Sequence, residues 1–273
     1  LIAVALTAVM TMSLTACGGG NTTGTTSGGA VDDGKTYNIG ICQLVQHEAL
    51  DAATKGFKDA LTEKLGDKVK FDEQNAQGDS PTCATIVNSF VSENVDLILD
   101  TATGPLQAAA SGTTDIPILG TSVTDYGTAL DIKNWTGTTG LNVSGTSDLA
   151  PLDQQAAMIK ELFPDKKKVG LLYCSAEANS LYQVETIKGY LEKDGYTCTN
   201  YSFVDSNDIA SVVSNAAKNS EVIYVPTDNT AASNTEVIRN TCVPAKVPVI
   251  AGEQGICSGC GVATLSISYY DLG

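Results

Sequence analysis

Val169-Gly-Leu-Leu-Tyr173 repeats Ile39-Gly-Ile-Cys-Gln43 at an offset of 130 residues. Both are short apolar runs, as expected of strands covered on both faces. Working outward, the two halves of the chain keep the same order. Gly78-Asp79 before one helical stretch matches Asn207-Asp208 before another, 129 residues on at the Asp. Val95-Asp-Leu-Ile-Leu99 loosely matches Glu221-Val-Ile-Tyr-Val225, and Ile116-Pro-Ile-Leu-Gly120 matches Val247-Pro-Val-Ile-Ala251 at an offset of 131. A repeat this long is no solenoid.

The pattern predicts strands over 37–42, 69–74, 95–100 and 116–121, then over 168–173, 197–203, 222–225 and 247–251. A Gly/Ser/Thr-rich connection and one more strand follow each Pro-containing strand, over 140–144 and 262–268. Helical stretches lie between, such as 47–65, where Leu50, Ala53, Phe57, Leu61 and Leu65 form one apolar stripe. Strand–helix alternation implies parallel sheets with right-handed crossovers. The expected fold is α/β: two doubly wound, Rossmann-like lobes joined by a hinge. The first lobe is expected over 36–125 with 262–273, the second over 138–255, and the hinge crossovers over 126–137 and 256–261.

The first 35 residues read as an address. Residues 1–16 carry no charge and match the apolar core of a secretory signal. They end in Leu14-Thr15-Ala16-Cys17, which resembles a bacterial lipobox, so Cys17 is the expected lipidation residue and two acyl chains the expected anchor. A Gly/Thr/Ser run then fills a tether over 17–35. The chain opens without Met or a charged start, so residues are expected before Leu1. By the symmetry of the halves a helix should begin near Gly273 and continue.

Composition narrows the function. With 16 Lys+Arg against 31 Asp+Glu the net charge is −15, against a nucleic-acid partner. No run reaches the ~18 apolar residues of a membrane-spanning helix. The seven cysteines after Cys17 mostly sit in apolar or Thr/Ala-rich stretches and are expected to pack as small hydrophobes. Cys257-Ser-Gly-Cys260, a lone CxxC, predicts neither metal nor redox chemistry.

In open parallel sheets ligands gather at the carboxyl ends of the strands, and two lobes facing each other with those ends make a cleft. No phosphate-binding glycine motif follows any strand, so no nucleotide cofactor is expected. One histidine, His47, and no nucleophile elbow argue against an enzyme. A small zwitterion suits the strand ends better. Helix starts after Thr103 and near Asn179 offer N–H groups to a carboxylate. Asp125, Glu177 or Asp228 could pair an ammonium. Gln43, Asn179 and Asn229 offer amides, and Tyr126, Tyr173 and His47 offer ring faces. Asp79, Asp208 and Asn179 fit helix caps or turns better than ligand contacts, with Asn179 the best placed of the three for a ligand.

These segments resemble a known family. Gly40-Ile-Cys-Gln-Leu-Val-Gln-His-Glu-Ala-Leu-Asp51, Asn75-Ala-Gln-Gly-Asp79, Thr101-Ala-Thr103 with Gln107, and Thr124-Asp125 carry the first part of the resemblance. Asn142-Val-Ser-Gly145, Tyr173-Cys-Ser-Ala-Glu-Ala-Asn-Ser180, Asp228-Asn-Thr-Ala-Ala-Ser233 and Tyr270-Asp-Leu-Gly273 carry the rest. In order and spacing they resemble the substrate-binding lipoproteins of bacterial ABC importers, of the tryptophan/tyrosine type, with the type I periplasmic-binding-protein architecture. The resemblance implies capture of a small hydrophobic or aromatic amino acid between the lobes, without a cofactor or metal, and delivery to a membrane permease. It implies contacts from Gln43, His47, Thr103, Asp125, Glu177, Asn179, Asp228 and Asn229, and an extracytoplasmic, lipid-anchored location. Where that family tends to have Thr-Pro-Ala, this chain has Thr103-Gly104-Pro105, with the Pro shifted by one. The alternative expectation is a surface receptor or sensory domain for another small molecule, such as a nucleoside or sugar, that feeds no transporter.

Overall fold

Strand and helix alternate through residues 34–273, the part of the chain that the computed structural model describes. The expected leader over 1–16, the lipidation residue Cys17 and nearly all of the 17–35 tether lie outside the described residues. The first lobe runs β1 (Tyr37–Gln43), α1 (Glu48–Leu65), β2 (Val69–Asn75), α2 (Ser80–Glu93), β3 (Leu97–Thr101), α3 (Thr103–Gly112), β4 (Ile118–Val123), α4 (Tyr126–Ala129) and β5 (Val143–Ser147). The second runs α5 (Leu152–Leu162), β6 (Lys168–Cys174), α6 (Ala178–Lys193), β7 (Thr197–Phe203), α7 (Ile209–Asn219), β8 (Val222–Val225), α8 (Asn229–Ala232), α9 (Thr235–Ala245), β9 (Val249–Ala251), α10 (Gln254–Cys260) and β10 (Ala263–Thr264). A last helix, α11 (Tyr269–Leu272), begins where the symmetry of the halves expects one.

Each lobe holds a five-stranded sheet, in order β2-β1-β3-β4-β5 and β10-β9-β8-β6-β7, with every paired strand parallel. Helices cover both faces, which is why the central strands are apolar on both sides. On β6 the alternation is direct: Leu171 joins the core under α5 and α6, and its neighbour Leu172 joins the core under α7 and α9. In the first lobe Phe90 of α2, fully buried, lies over Gly40 of β1, where any Cβ would strike its ring. Burying such a ring contributes about 2–3 kcal/mol.

β4 and β9 start just after Pro117 and Pro248 rather than including them as expected. Proline has no N–H for the ladder, yet its carbonyl is free: Pro117 O accepts from Ile98 N at 3.0 Å and Pro248 O from Ile223 N at 2.9 Å.

Strand pairing also moves the lobe boundaries. β5, expected in the second lobe, sits beside β4 with Val143 opposite Ile118 and Ser144 opposite Leu119. The reason is local. Gly120 and Gly145 leave room for the Tyr126 ring, whose hydroxyl lies 2.9 Å from Gly120 O and 3.1 Å from Thr146 O and ties the two strands. β10, expected in the first lobe, pairs with β9 through Ala263–Ile250 and Thr264–Ala251. Within the expected crossovers, α4 buries Tyr126 and Ala129 in the first lobe's core, and α10 buries Ile256 and Cys260 in the second's. The chain therefore passes between lobes one strand later, at residues 148–151 and 265–268. α11 then packs Tyr269 against Ala49 and Ala53 of α1, back in the first lobe.

The seven described cysteines are free thiols, five buried and two half-buried. Burial pushes the Cys260 thiol up to about 12 and the Cys242 thiol up to about 11, so both stay protonated core residues.

Candidate functional site

The carboxyl ends of both sheets face a cleft, and a cavity of about 340 Å³ lies in it. Leu44 and Val45 past β1, with Gly104 and Gln107 of α3, form the first-lobe wall. Ala176, Glu177, Ala178, Asn179, Asn229 and Thr230 form the opposite wall. The volume falls within the range of small-molecule sites.

The helix starts explain how this rim is built. α2, α4, α8, α10 and α11 are capped by the side chains of Asp79, Asp125, Asp228, Glu253 and Ser268. α3 and α6, whose first turns border the cavity, have no side-chain cap. A helix start leaves its first N–H groups without intrahelical acceptors; in α6 the third of them, Ser180 N, already donates to Glu177 O at 3.1 Å. α3 begins after Ala102, held at φ 94, a backbone state costly for a residue with a Cβ. Ser122, at the end of β4, is also left-handed, at φ 56. The shifted Pro105 falls in the first turn of α3, where an N–H has no partner to lose.

Glu177 spends its carboxylate on a neighbouring helix. Its Oε1 accepts from Thr230 N and Thr230 Oγ1, both at 2.8 Å, and its Oε2 from Asn229 N at 3.0 Å and Asn229 Nδ2 at 2.7 Å. Asn179 donates to Glu177 Oε2 at 3.2 Å and to Thr227 O at 3.1 Å. Asp228 is buried below them and accepts from Cys174 N, Ser180 Oγ and Ala231 N at 2.6, 2.8 and 2.7 Å. Burial, then the nearby Glu177 charge, push its carboxyl up to about 8 against the pull of these donors.

Of the eight residues expected to touch ligand, the structure brings Glu177, Asn179 and Asn229 to the cavity wall. The other five do not line it. Gln43 is buried in the first lobe, donating to Asp51 Oδ1 at 2.7 Å and accepting from Thr54 Oγ1 at 2.7 Å. Thr103 is buried at the start of α3, and Asp125 caps α4 by accepting from Thr128 N at 2.7 Å. Asp228 lies beneath the wall. His47 reaches across the cleft instead, its Nε2 3.1 Å from Asn229 Oδ1.

A second polar cluster closes the cleft toward the crossovers, and the sequence reading missed it. Asp148 accepts from Thr124 Oγ1 at 3.1 Å and from Tyr269 Oη at 2.9 Å. Gln183 holds Thr227 by a reciprocal pair, Nε2 to Thr227 O at 3.0 Å and Thr227 N to Oε1 at 3.1 Å, and reaches Thr124 Oγ1 at 3.5 Å. Burial raises the carboxyls of Asp148 and Glu253 above their usual range. One signal was available: Gln183 is four residues from Asn179, on the same face of α6. Asp148 and Tyr269 had none, since they meet only when both crossovers fold.

A family model for ABC transporter substrate binding proteins matches residues 38–273. The tyrosine-binding protein of Clostridioides difficile (strain R20291) is 40% identical over 245 residues, covering 89% of this chain and 71% of the relative. A Streptococcus pneumoniae ABC domain in complex with L-Trp is 35% identical, with a TM-score of 0.83 over 87% of this chain and 81% of that one. The ligand-free, open structure of a Clostridium difficile substrate-binding protein with adhesive properties is 38% identical over the same shares, 87% and 81%, yet its TM-score is 0.62. This chain superposes better on the L-Trp complex than on that open structure.

Proposed function

We propose, for a chain that belongs to the ABC transporter substrate-binding protein family, that it captures an aromatic amino acid between its lobes and presents it to a membrane permease. Proteins of this family bind and deliver rather than catalyse, and this one has the family's two-lobed, type I periplasmic-binding-protein architecture. The observation that carries the ligand class is the interlobe cavity. It is large enough for one aromatic amino acid, apolar at Leu44 and Val45, and polar at its opposite wall. In this reading the uncapped first turns of α3 and α6 receive the ligand carboxylate. Asn179, Asn229 and Gln107 orient it, and the acidic rim of Glu177, Asp79 and Asp205 favours its ammonium. Gln43, Thr103, Asp125 and Asp228 support the wall from behind.

Capture works by closure: the lobes rotate about residues 148–151 and 265–268, and the closed form is the one a permease recognises. The Leu14-Thr15-Ala16-Cys17 sequence supports a lipid anchor at Cys17 and a place outside the cytoplasm. No helix among the described residues is long and apolar enough to cross a membrane. Isothermal titration of the purified protein with L-tryptophan, L-tyrosine, L-phenylalanine and L-leucine tests the ligand class. The expected result is saturable 1:1 binding of an aromatic member, tighter than leucine. Heats that stay flat for all three aromatic amino acids would refute the proposal.

A further inference from the structure

Under the start of α2 the first lobe gathers two thiols and a carboxyl, all fully buried: Cys42 of β1, Cys83 of α2 and Asp100 of β3. Strand pairing sets Asp100 directly beside Cys42, since the two are register partners on neighbouring parallel strands. α2 returns antiparallel to β1 and brings Cys83 to them. Phe90 sits on Gly40. Cys42 is the next residue of β1 on that face, and Cys83 lies two helical turns before Phe90, on the same side of α2. Both thiols belong to one core cluster, and the Cys42 thiol gives a hydrogen bond to Cys83. Asp100 is the anomaly of this core. Neither of its oxygens has a partner among the described residues, although a buried polar group is normally paired. Burial holds its carboxyl well above the usual range.

We propose that Cys42 and Cys83 are a disulfide-forming pair, with Asp100 taking the Cys42 proton as the bond closes. The inference rests on neither the ligand nor the permease. The oxidant is a disulfide carried by another molecule. Cys83 is the attacking thiol: the hydrogen bond it accepts from Cys42 draws its thiol down, and it lies one turn inside the exposed Ser80 and Pro81. Its thiolate attacks one sulfur of the oxidant and displaces the other as a thiolate, which takes up the proton Cys83 has lost. Cys42 then gives its proton to the Asp100 carboxylate and attacks the Cys83 sulfur, and the second displaced thiolate takes up that proton. The protein loses two hydrogens with their electrons, and the oxidant gains them as two thiols. A carboxyl raised toward the range of a thiol suits it to exchange a proton with one. Only the first turn of α2 has to open for the oxidant to enter, and that turn is held by Thr82 N and Thr82 Oγ1 donating to Asp79 at 2.9 and 2.6 Å. The bond ties β1 to α2, whose ends carry Leu44, Val45, Asp79 and Ser80 to the cavity. The place outside the cytoplasm proposed above is one where such a bond persists.

Reduced whole protein is refolded from urea with reduced and oxidised glutathione, its remaining thiols are alkylated, and its peptides are mapped by mass spectrometry. The expected result is a peptide pair joined through Cys42 and Cys83, two hydrogens lighter than the separate peptides. The oxidised protein should melt roughly 5–15 °C above the same protein after dithiothreitol, because the bond closes a long loop and so constrains the unfolded chain. Cys83→Ala should show neither the link nor the shift. Mapping of the wild type needs no variant, so it decides even where Cys83→Ala does not fold. Cys42 and Cys83 both alkylated in the folded product, or each joined to some other cysteine, overturns the pair. In Asp100→Asn, or Asp100→Ser where the amide does not fold, the reduced and folded protein should acquire the same bond at least about tenfold more slowly at pH 7.5. An equal rate overturns the part given to Asp100.

Discussion

Glu177→Ala is the most informative single perturbation of the cleft, because one carboxylate there satisfies four donors of the α8 start. Two are backbone N–H groups, Asn229 N and Thr230 N, and two are side chains, Asn229 Nδ2 and Thr230 Oγ1. A hydrogen bond to a charged acceptor contributes about 1.5–3 kcal/mol, and each donor left unmet inside the protein costs about 1–3 kcal/mol. Glu177 is half-buried, so water will replace part of what is lost. About 3–4 kcal/mol is the resulting expectation. A fold of this size changes Tm by roughly 2–4 °C per kcal/mol, so the melting temperature should fall by roughly 10 °C. Glu177→Gln retains one acceptor and should lose about half as much. Binding should suffer separately, since the Asn229 amide loses the partner that orients it, and an aromatic amino acid should bind at least about tenfold more weakly at pH 7.5. Urea unfolding of both variants gives the first quantity and calorimetry the second. A Glu177→Ala protein within 0.5 kcal/mol of wild type (roughly the scatter of neutral surface changes), with unaltered affinity, would show that the α8 start does not depend on this carboxylate.

Three further outcomes follow from the geometry. Ala176→Trp places a large ring at an exposed position on the cavity wall; ligand affinity should drop by at least about tenfold with stability within about 0.5 kcal/mol, and undiminished binding would put the ligand elsewhere. Gly56→Ala drives a methyl group into the backbone carbonyl of Tyr270. Overpacking of this kind costs about 1–3 kcal/mol and should loosen α11, making the 270s more open to protease; wild-type melting and cleavage would contradict the packing. Stability should also fall as pH rises from 7 toward 9. Asp228 is pushed up to about 8 in the fold against ~3.9 unfolded, so the native state holds the extra proton and loses that advantage as pH passes 8. His47 is already neutral in this window and does not oppose the trend. A Tm that climbs between pH 7 and 9 would exclude an elevated Asp228.

The repeat of Ile39-Gly-Ile-Cys-Gln43 at Val169-Gly-Leu-Leu-Tyr173 was enough to read both lobes, because a strand buried on both faces cannot hide its apolar run. β5 could hide. It is an edge strand with only Val143 buried, and its Ser144-Gly-Thr-Ser147 remainder has the composition of a loop, so the crossover was read one strand early. The site was harder for a different reason. Asp125, Glu177 and Asp228 all follow strands and precede helices, and an acid there serves a helix start as well as it serves an ammonium. Which it does depends on the loop after a neighbouring strand, 52 residues on for the Glu177–Asn229 pair. The usable signal was a missing residue. Five helix starts carry a capping acid or serine, whereas Ala102 precedes α3, and an alanine cannot cap. A helix that starts at a strand end without a cap, behind a backbone held at φ 94, leaves its donors for something else. α6 reaches the same state by a less visible route, since its Glu177 turns away to serve α8. These two starts, one from each lobe, border the same cavity together with the uncapped start of α9 behind Asn234, so the cavity gathers helix starts from both lobes that no side chain caps.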